Sequence, residues 1–189
     1  MVDAKKQLRK AMKQMLSELS SDTVGEKSAI IISKVAQLPE WKRAKTIGVT
    51  YPIQKEVNTI PLIEQGWKEG KIVALPKIDP KTNKMDFYQI DDFSKLEKNR
   101  FGIFEPKEEE ALKVEKRNID FLVIPCLAFD EHCFRLGYGG GYYDRYLADY
   151  DGLTCGICFE CQRIAQIPVG RYDIPLKMII TEENTYQSR

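Results

Sequence analysis

Histidine is almost missing from this chain: its 189 residues hold one, His132. No Ser-His-Asp nucleophile set stands out around it. No apolar run approaches the ~20 residues needed to cross a bilayer. The N-terminus, Met-Val-Asp-Ala-Lys-Lys, lacks the apolar stretch of a secretory leader, so a cytoplasmic protein is expected. Charge of one sign is also lacking. The 29 basic and 28 acidic residues leave a net charge of +1, so no global field draws in nucleic acid or membrane. The chain has no Gly-Lys-Ser/Thr after its glycines and hence no Walker A. Residue 142 is Tyr where a G-x-G-x-x-G dinucleotide fingerprint needs glycine. The five cysteines are odd in number, which argues against a disulfide framework. Cys155, Cys158 and Cys161 mimic the start of an iron–sulfur run, but the fourth position, 165, is Ala. In a strand, 155 and 158 point to opposite faces. The cysteines therefore read as core residues, ahead of metal ligands.

What is present suits one domain over 1–189, with 43% hydrophobic residues to build a core. Leu8, Met12, Leu16 and Leu19 mark an amphipathic helix over 3–19, whose other face carries Lys5, Lys6, Arg9, Lys10 and Lys13. Ser20, Ser21 or Asp22 can cap a second helix that Pro39 stops. Apolar strands are expected at 46–50, 72–76, 120–125, 153–159 and 178–180, with an edge strand at 85–88. Helices are expected from Ile60 to about Glu69 and from about Gly140 to Ala148. The run Glu108–Glu110 reads as surface. Strands alternate with helices and are continuously apolar. That pattern predicts an α/β fold: three layers, α/β/α, around a mostly parallel, Rossmann-like central sheet. Ligands in such folds gather beyond the carboxyl ends of the strands. The polar segments 51–59, 76–84 and 130–145 lie there.

The last of these holds Arg135-Leu136-Gly137-Tyr138-Gly139-Gly140-Gly141-Tyr142-Tyr143-Asp144-Arg145. Glycines let a backbone approach a ligand closely and curl bare N–H groups into an anion-binding nest. Arginine adds planar, bidentate phosphate donors. Asp144 can serve a hard cation such as Mg²⁺, which uses few protein carboxylates. A flexible turn is the plain alternative, but arginine and aspartate among the tyrosines favour a nucleotide-phosphate loop.

Arg-Leu-Gly-x-Gly-x-Gly-Tyr-Tyr-Asp resembles the hallmark of the 5-formyltetrahydrofolate cyclo-ligase (5,10-methenyltetrahydrofolate synthetase) family. Ala128-Phe129-Asp130, Lys5-x-x-x-Arg9, Gly102-Ile103-Phe104-Glu105-Pro106 and Glu56-Val57-x-Thr59 fit the same family in the same order. The resemblance implies ATP- and Mg²⁺-dependent closure of 5-formyltetrahydrofolate to 5,10-methenyltetrahydrofolate through a phosphorylated formyl group. It implies small-molecule partners and a monomer or weak dimer, with no nucleic acid or membrane. It assigns Arg135 and Arg145 to catalysis. Lys5, Arg9, Arg135, Leu136, Gly137, Tyr138, Gly139, Gly140, Gly141, Tyr142 and Tyr143 are assigned to ATP. Tyr51, Glu56, Tyr138, Gly139, Gly140, Gly141 and Tyr142 are assigned to the folate, and Asp144 to the metal. The chain departs from the family pattern at Cys133, commonly glycine, at Asn58 and at Lys177, both commonly acidic.

Each assignment has a plainer counterpart. Lys5 and Arg9 suit a solvated helix face, Asp144 a helix cap or a partner of Arg145, and Tyr143 the core. Other functions also remain open. A folate or nucleotide binder with reduced turnover would keep the same residues. A nucleic-acid site would use the basic helix. A sugar-phosphate enzyme would use Asp130 or Asp144 as its acid or base.

Overall fold

The computed structural model describes residues 2–188. The chain opens with three helices, α1 (Val2–Ser17), α2 (Ser21–Gln37) and α3 (Pro39–Arg43). Ser20 caps α2, its Oγ accepting the Thr23 N–H at 3.0 Å. Pro39 does stop α2, and it also opens α3, since its missing N–H costs nothing in a first turn.

Strand β1 (Thr46–Gly48) is followed by α4 (Ile60–Lys68), β2 (Ile72–Asp79) and β3 (Lys84–Gln89). A hairpin, β4 (Leu96–Lys98) with β5 (Phe104–Pro106), and the short β6 (Leu112–Val114) precede β7 (Phe121–Pro125). A second hairpin, β8 (Ala128–Phe129) with β9 (Arg135–Leu136), leads to α5 (Tyr142–Leu147), β10 (Leu153–Ile157), β11 (Met178–Ile180) and β12 (Thr185–Gln187). The main sheet has the order β12-β11-β10-β7-β1-β2-β3-β6. Its middle, β11-β10-β7-β1-β2, is parallel, and β12, β3 and β6 are antiparallel additions. The expected mostly parallel sheet is thus present. One expectation needs correction: 85–88 is not an edge, because β6 pairs outside it. At three residues, β6 is too short to carry a strand signal.

The side chains of β7 show why two layers cover the sheet. Phe121 and Val123 join Ile31, Val35, Trp41, Leu62 and Ile63 from α2, α3 and α4. Leu122 and Ile124 face the other way, toward Phe87, Tyr146, Leu147 and Leu176. This second layer is thinner: among the described residues α5 is its one α-helix, and much of the remainder is irregular chain. Four cysteines are buried as expected, Cys155 on one face and Cys158 on the other. Cys161 is exposed and is not a core residue, because the strand ends at Ile157 and a short turn carries it outward. Among the described residues no helix is long and apolar enough to cross a membrane.

Neighbours β1 and β7 send their chains in opposite directions. The connection from β1 to β2 crosses the α4 face, and that from β7 to β10 crosses the α5 face. Loops that part in this way leave a crevice at the carboxyl ends of the two strands.

Candidate functional site

That crevice is a cleft of about 270 Å³. The loop after β1, the β4–β5 hairpin, the glycine loop and the N-terminal half of α1 meet there, with β2, β3, the end of β7 and Asp173 completing the lining. Every expected site residue except Arg145 lines it.

The glycine loop owes its shape to positive φ at two points. Gly139 has φ 110° and Gly141 has φ 67°, values that a side chain would strain. Gly141 is the N-terminal cap of α5. Helix α1 closes the loop from outside. Leu8 and Met12 pack on Ala128, Leu136 and Ile167, which turns Lys5 and Arg9 toward the cleft. Arg9 Nε donates to the Gly137 carbonyl at 2.8 Å, and its guanidinium lies 3.3 Å from where a Cβ on Gly139 would sit. Lys5 binds both carboxylate oxygens of Asp173, at 2.8 and 2.6 Å.

Arg135 is 4% exposed. It donates to Asp144 Oδ1 at 2.8 Å and to the Ile174 carbonyl at 3.0 Å. Asp144 is 28% exposed at the cleft wall. Arg145 lies outside, where its guanidinium donates to the carbonyls of Gly140 (2.7 Å) and Asn83 (2.9 Å) and stacks on Tyr142. It braces the loop from behind. Among the described residues no three His, Cys, Asp or Glu side chains converge to cage a metal. Asp144 offers a carboxylate at the C-terminal end of the glycine loop, on the cleft wall. That suits Mg²⁺, which is held by one or two carboxylates together with substrate phosphates and water.

The opposite end is aromatic. Tyr51 packs on Phe104 with ring centroids 4.9 Å apart, and Ile53 and Ile103 complete the wall. Glu56 sits among them. Its carboxylate accepts the Tyr138 hydroxyl at 2.7 Å and the Ile53 N–H at 3.0 Å. Burial pushes the Glu56 carboxyl up to about 7, against the lowering effect of those two hydrogen bonds. Burial, then the Glu56 charge, raises the Tyr143 phenol, so it stays a proton donor. The Tyr138–Glu56 bond joins the two ends of the cleft.

Asp130 does not line the cleft. It is buried, with its carboxylate accepting the N–H groups of His132, Phe134 and Ile167 at 3.0, 3.1 and 2.9 Å. It shapes the β8–β9 turn and is no free acid or base. His132 is exposed on that turn. Cys133 has φ 64°, where glycine is the unstrained residue; this accounts for the glycine common at that position and leaves the cysteine under backbone strain. Lys177 is exposed, with its backbone tied to Thr154 and Ser188.

Asp173, Asn99, Glu105 and Thr50 also line the cleft and were not anticipated as site residues. Asn99 and Glu105 belong to the hairpin announced by Gly102-Ile103-Phe104-Glu105-Pro106. Gly102, at φ 76°, makes its turn, and Lys77 ties the hairpin to β2 through Glu97 and the Pro106 carbonyl. Asp173 sits in irregular chain with no periodic pattern to flag it.

Fold and cleft together define an α/β protein with one cation-lined end and one aromatic end in a single crevice. Comparison with known proteins narrows the class. The chain belongs to the 5-formyltetrahydrofolate cyclo-ligase family, whose model matches residues 1–182. It is 33% identical to a probable 5-formyltetrahydrofolate cyclo-ligase of Schizosaccharomyces pombe, over 97% of this chain and 98% of that one. It is 32% identical to the 5-formyltetrahydrofolate cyclo-ligase of Escherichia coli K12, over 93% and 97%. The NMR structure of Aquifex aeolicus 5,10-methenyltetrahydrofolate synthetase superposes with a TM-score of 0.87 at 34% identity, covering 98% of this chain and 93% of that one.

Proposed function

We propose that the cleft closes 5-formyltetrahydrofolate to 5,10-methenyltetrahydrofolate with conversion of ATP to ADP and phosphate. The observation that carries this reading is the Tyr138–Glu56 hydrogen bond, which places an anion-ready loop against a carboxyl in an aromatic wall. Two different ligands can therefore meet in one crevice.

The chemistry needs both. A formamide oxygen is a poor leaving group. The formyl oxygen takes the γ-phosphoryl group of ATP, forming a P–O bond as the bond to ADP breaks. The N10 lone pair then attacks the activated carbon, N10 loses its proton, and phosphate leaves with the former formyl oxygen. Phosphoryl transfer asks the protein mainly for positioning and charge neutralisation. Arg135, Lys5, Arg9 and the N–H groups of 137–141 supply those. Asp144 would hold Mg²⁺, which neutralises phosphate charge when bound. Glu56 accepts the paired N–H edge of the pterin, and Tyr51, Tyr138 and Tyr142 flank the ring. Arg145 acts through the loop, fixing the Gly140 carbonyl from behind. The site is taken to work in the cytoplasm.

The test is absorbance at the methenyltetrahydrofolate band. Purified protein with 5-formyltetrahydrofolate and Mg²⁺ should develop the band with ATP and not without it. ATP binding with no band growth would leave a nucleotide or folate binder on the same fold.

A further inference from the structure

Three buried side-chain polar atoms among the described residues have no hydrogen-bond partner: Thr50 Oγ1, Tyr143 Oη and Tyr146 Oη. Unpaired buried hydroxyls are uncommon, because each gives up hydration with nothing in return. Two of the three, Thr50 and Tyr143, line the same cleft as Glu56. Tyr146 lies away from it, packed on Phe87.

Thr50 is held firmly. The preceding residue, Val49, extends the sheet by donating to the Ala74 carbonyl at 2.9 Å. The Thr50 carbonyl accepts the Thr59 hydroxyl at 2.5 Å. A β-branched side chain on a fixed backbone has few rotamers, so its hydroxyl has little freedom to find another partner. Resting on the cyclo-ligase reading above, we propose that Thr50 is a recognition residue for the folate ring. Its hydroxyl and that of Tyr143 hydrogen-bond the polar edge of the heterocycle that Glu56 holds. The donor inventory fits. A phenol donates, a threonine hydroxyl donates or accepts, and a carboxylate accepts. A pterin edge alternates N–H, ring nitrogen and carbonyl. A triphosphate instead needs cations and backbone N–H groups, and these lie at the glycine-loop end. Thr50 should therefore discriminate the folate and leave ATP untouched.

Thr50→Val keeps the shape and removes the hydroxyl. Its dissociation constant for 5-formyltetrahydrofolate, measured by calorimetry, should rise about fivefold to tenfold. ATP affinity should stay within about twofold, and KM for the folate should rise more than kcat falls. Because the hydroxyl is unpaired in the free protein, the melting temperature should hold or rise by about 1–3 °C. Thr50→Ser should restore folate affinity. Tyr146→Phe is the control: it removes an equally unpaired hydroxyl outside the cleft and should leave folate affinity unchanged. Wild-type folate affinity in Thr50→Val would overturn the proposal. So would a lowered melting temperature with no rescue by serine, which would mark a structural role. Failure of the wild-type protein to bind 5-formyltetrahydrofolate at all would overturn both this and the cyclo-ligase reading, and that result is distinct from the first two.

Discussion

Glu56→Gln should change stability and ligand affinity in opposite directions, and the pH dependence separates the two effects. An unfolded chain ionises this carboxyl near 4.5, whereas burial in the aromatic wall holds it to about 7 in the folded protein. Between those values the unfolded state has released its proton and the folded state has not. Stability from this group is therefore fully present below about 4.5 and is lost as pH rises through about 7. Each pH unit in that window removes about 1.4 kcal/mol. Glu56 is only partly covered, and screening by solvent brings the whole effect to about 1–3 kcal/mol. Glutamine does not titrate. Its melting temperature should match that of wild type near pH 5 and exceed it by roughly 3–10 °C at pH 8. On the proposed function, folate binding runs the other way, since the ionised carboxylate would accept the pterin N–H pair. Wild-type affinity should fall as pH drops below about 7, by up to tenfold per unit. The glutamine variant should bind weakly at every pH. Melting curves from pH 5 to 8, paired with folate titrations, decide the matter. A stability gap that does not change with pH would show that the buried Glu56 carboxyl does not titrate in this range.

Three further outcomes are expected. Arg135→Ala should cut kcat/KM by about 10²–10³-fold, since a preorganised cation is lost at the proposed phosphate end, and should destabilise the fold by about 1–3 kcal/mol by leaving Asp144 unpaired; steady-state kinetics and urea unfolding measure both. Cys133→Gly should be more stable than Cys133→Ala, an inversion of the usual order at a buried position, because φ 64° strains alanine by about 1–2 kcal/mol; thermal melts of the pair check it. A thiol reagent should modify one of the five cysteines quickly in the native protein, Cys161, and all five after denaturation; burial, with the nearby Asp130 charge, also pushes the Cys133 thiol up to about 11, which keeps it unreactive.

The parallel core was legible because its strands are continuously apolar. Phe121-Leu122-Val123-Ile124 serves two cores at once, and a pattern without alternation says so. The antiparallel additions were less legible. Strands β6, β8, β9 and β12 run two or three residues each, too few for any period to register. Within the site, glycines, arginines and tyrosines crowded into eleven residues mark one loop. The contact of Arg9 with that loop joins residues 128 apart and follows from the Leu8–Met12 stripe facing the β8–β9 hairpin. Lys5 has a partner no local pattern names, because Asp173 lies in a coil 168 residues away. The outward position of Arg145 is a matter of helix phase: α5 begins at Tyr142, so Asp144 faces Arg135 while the next side chain turns away from the cleft.

In the proposed reaction the formyl oxygen is phosphorylated and leaves as phosphate. The most direct test uses 5-formyltetrahydrofolate labelled with ¹⁸O in the formyl group, converted with ATP by the purified protein, with the released phosphate analysed by mass spectrometry. Each phosphate formed should carry one ¹⁸O atom. Unlabelled phosphate accompanying full conversion to the methenyl product would contradict it.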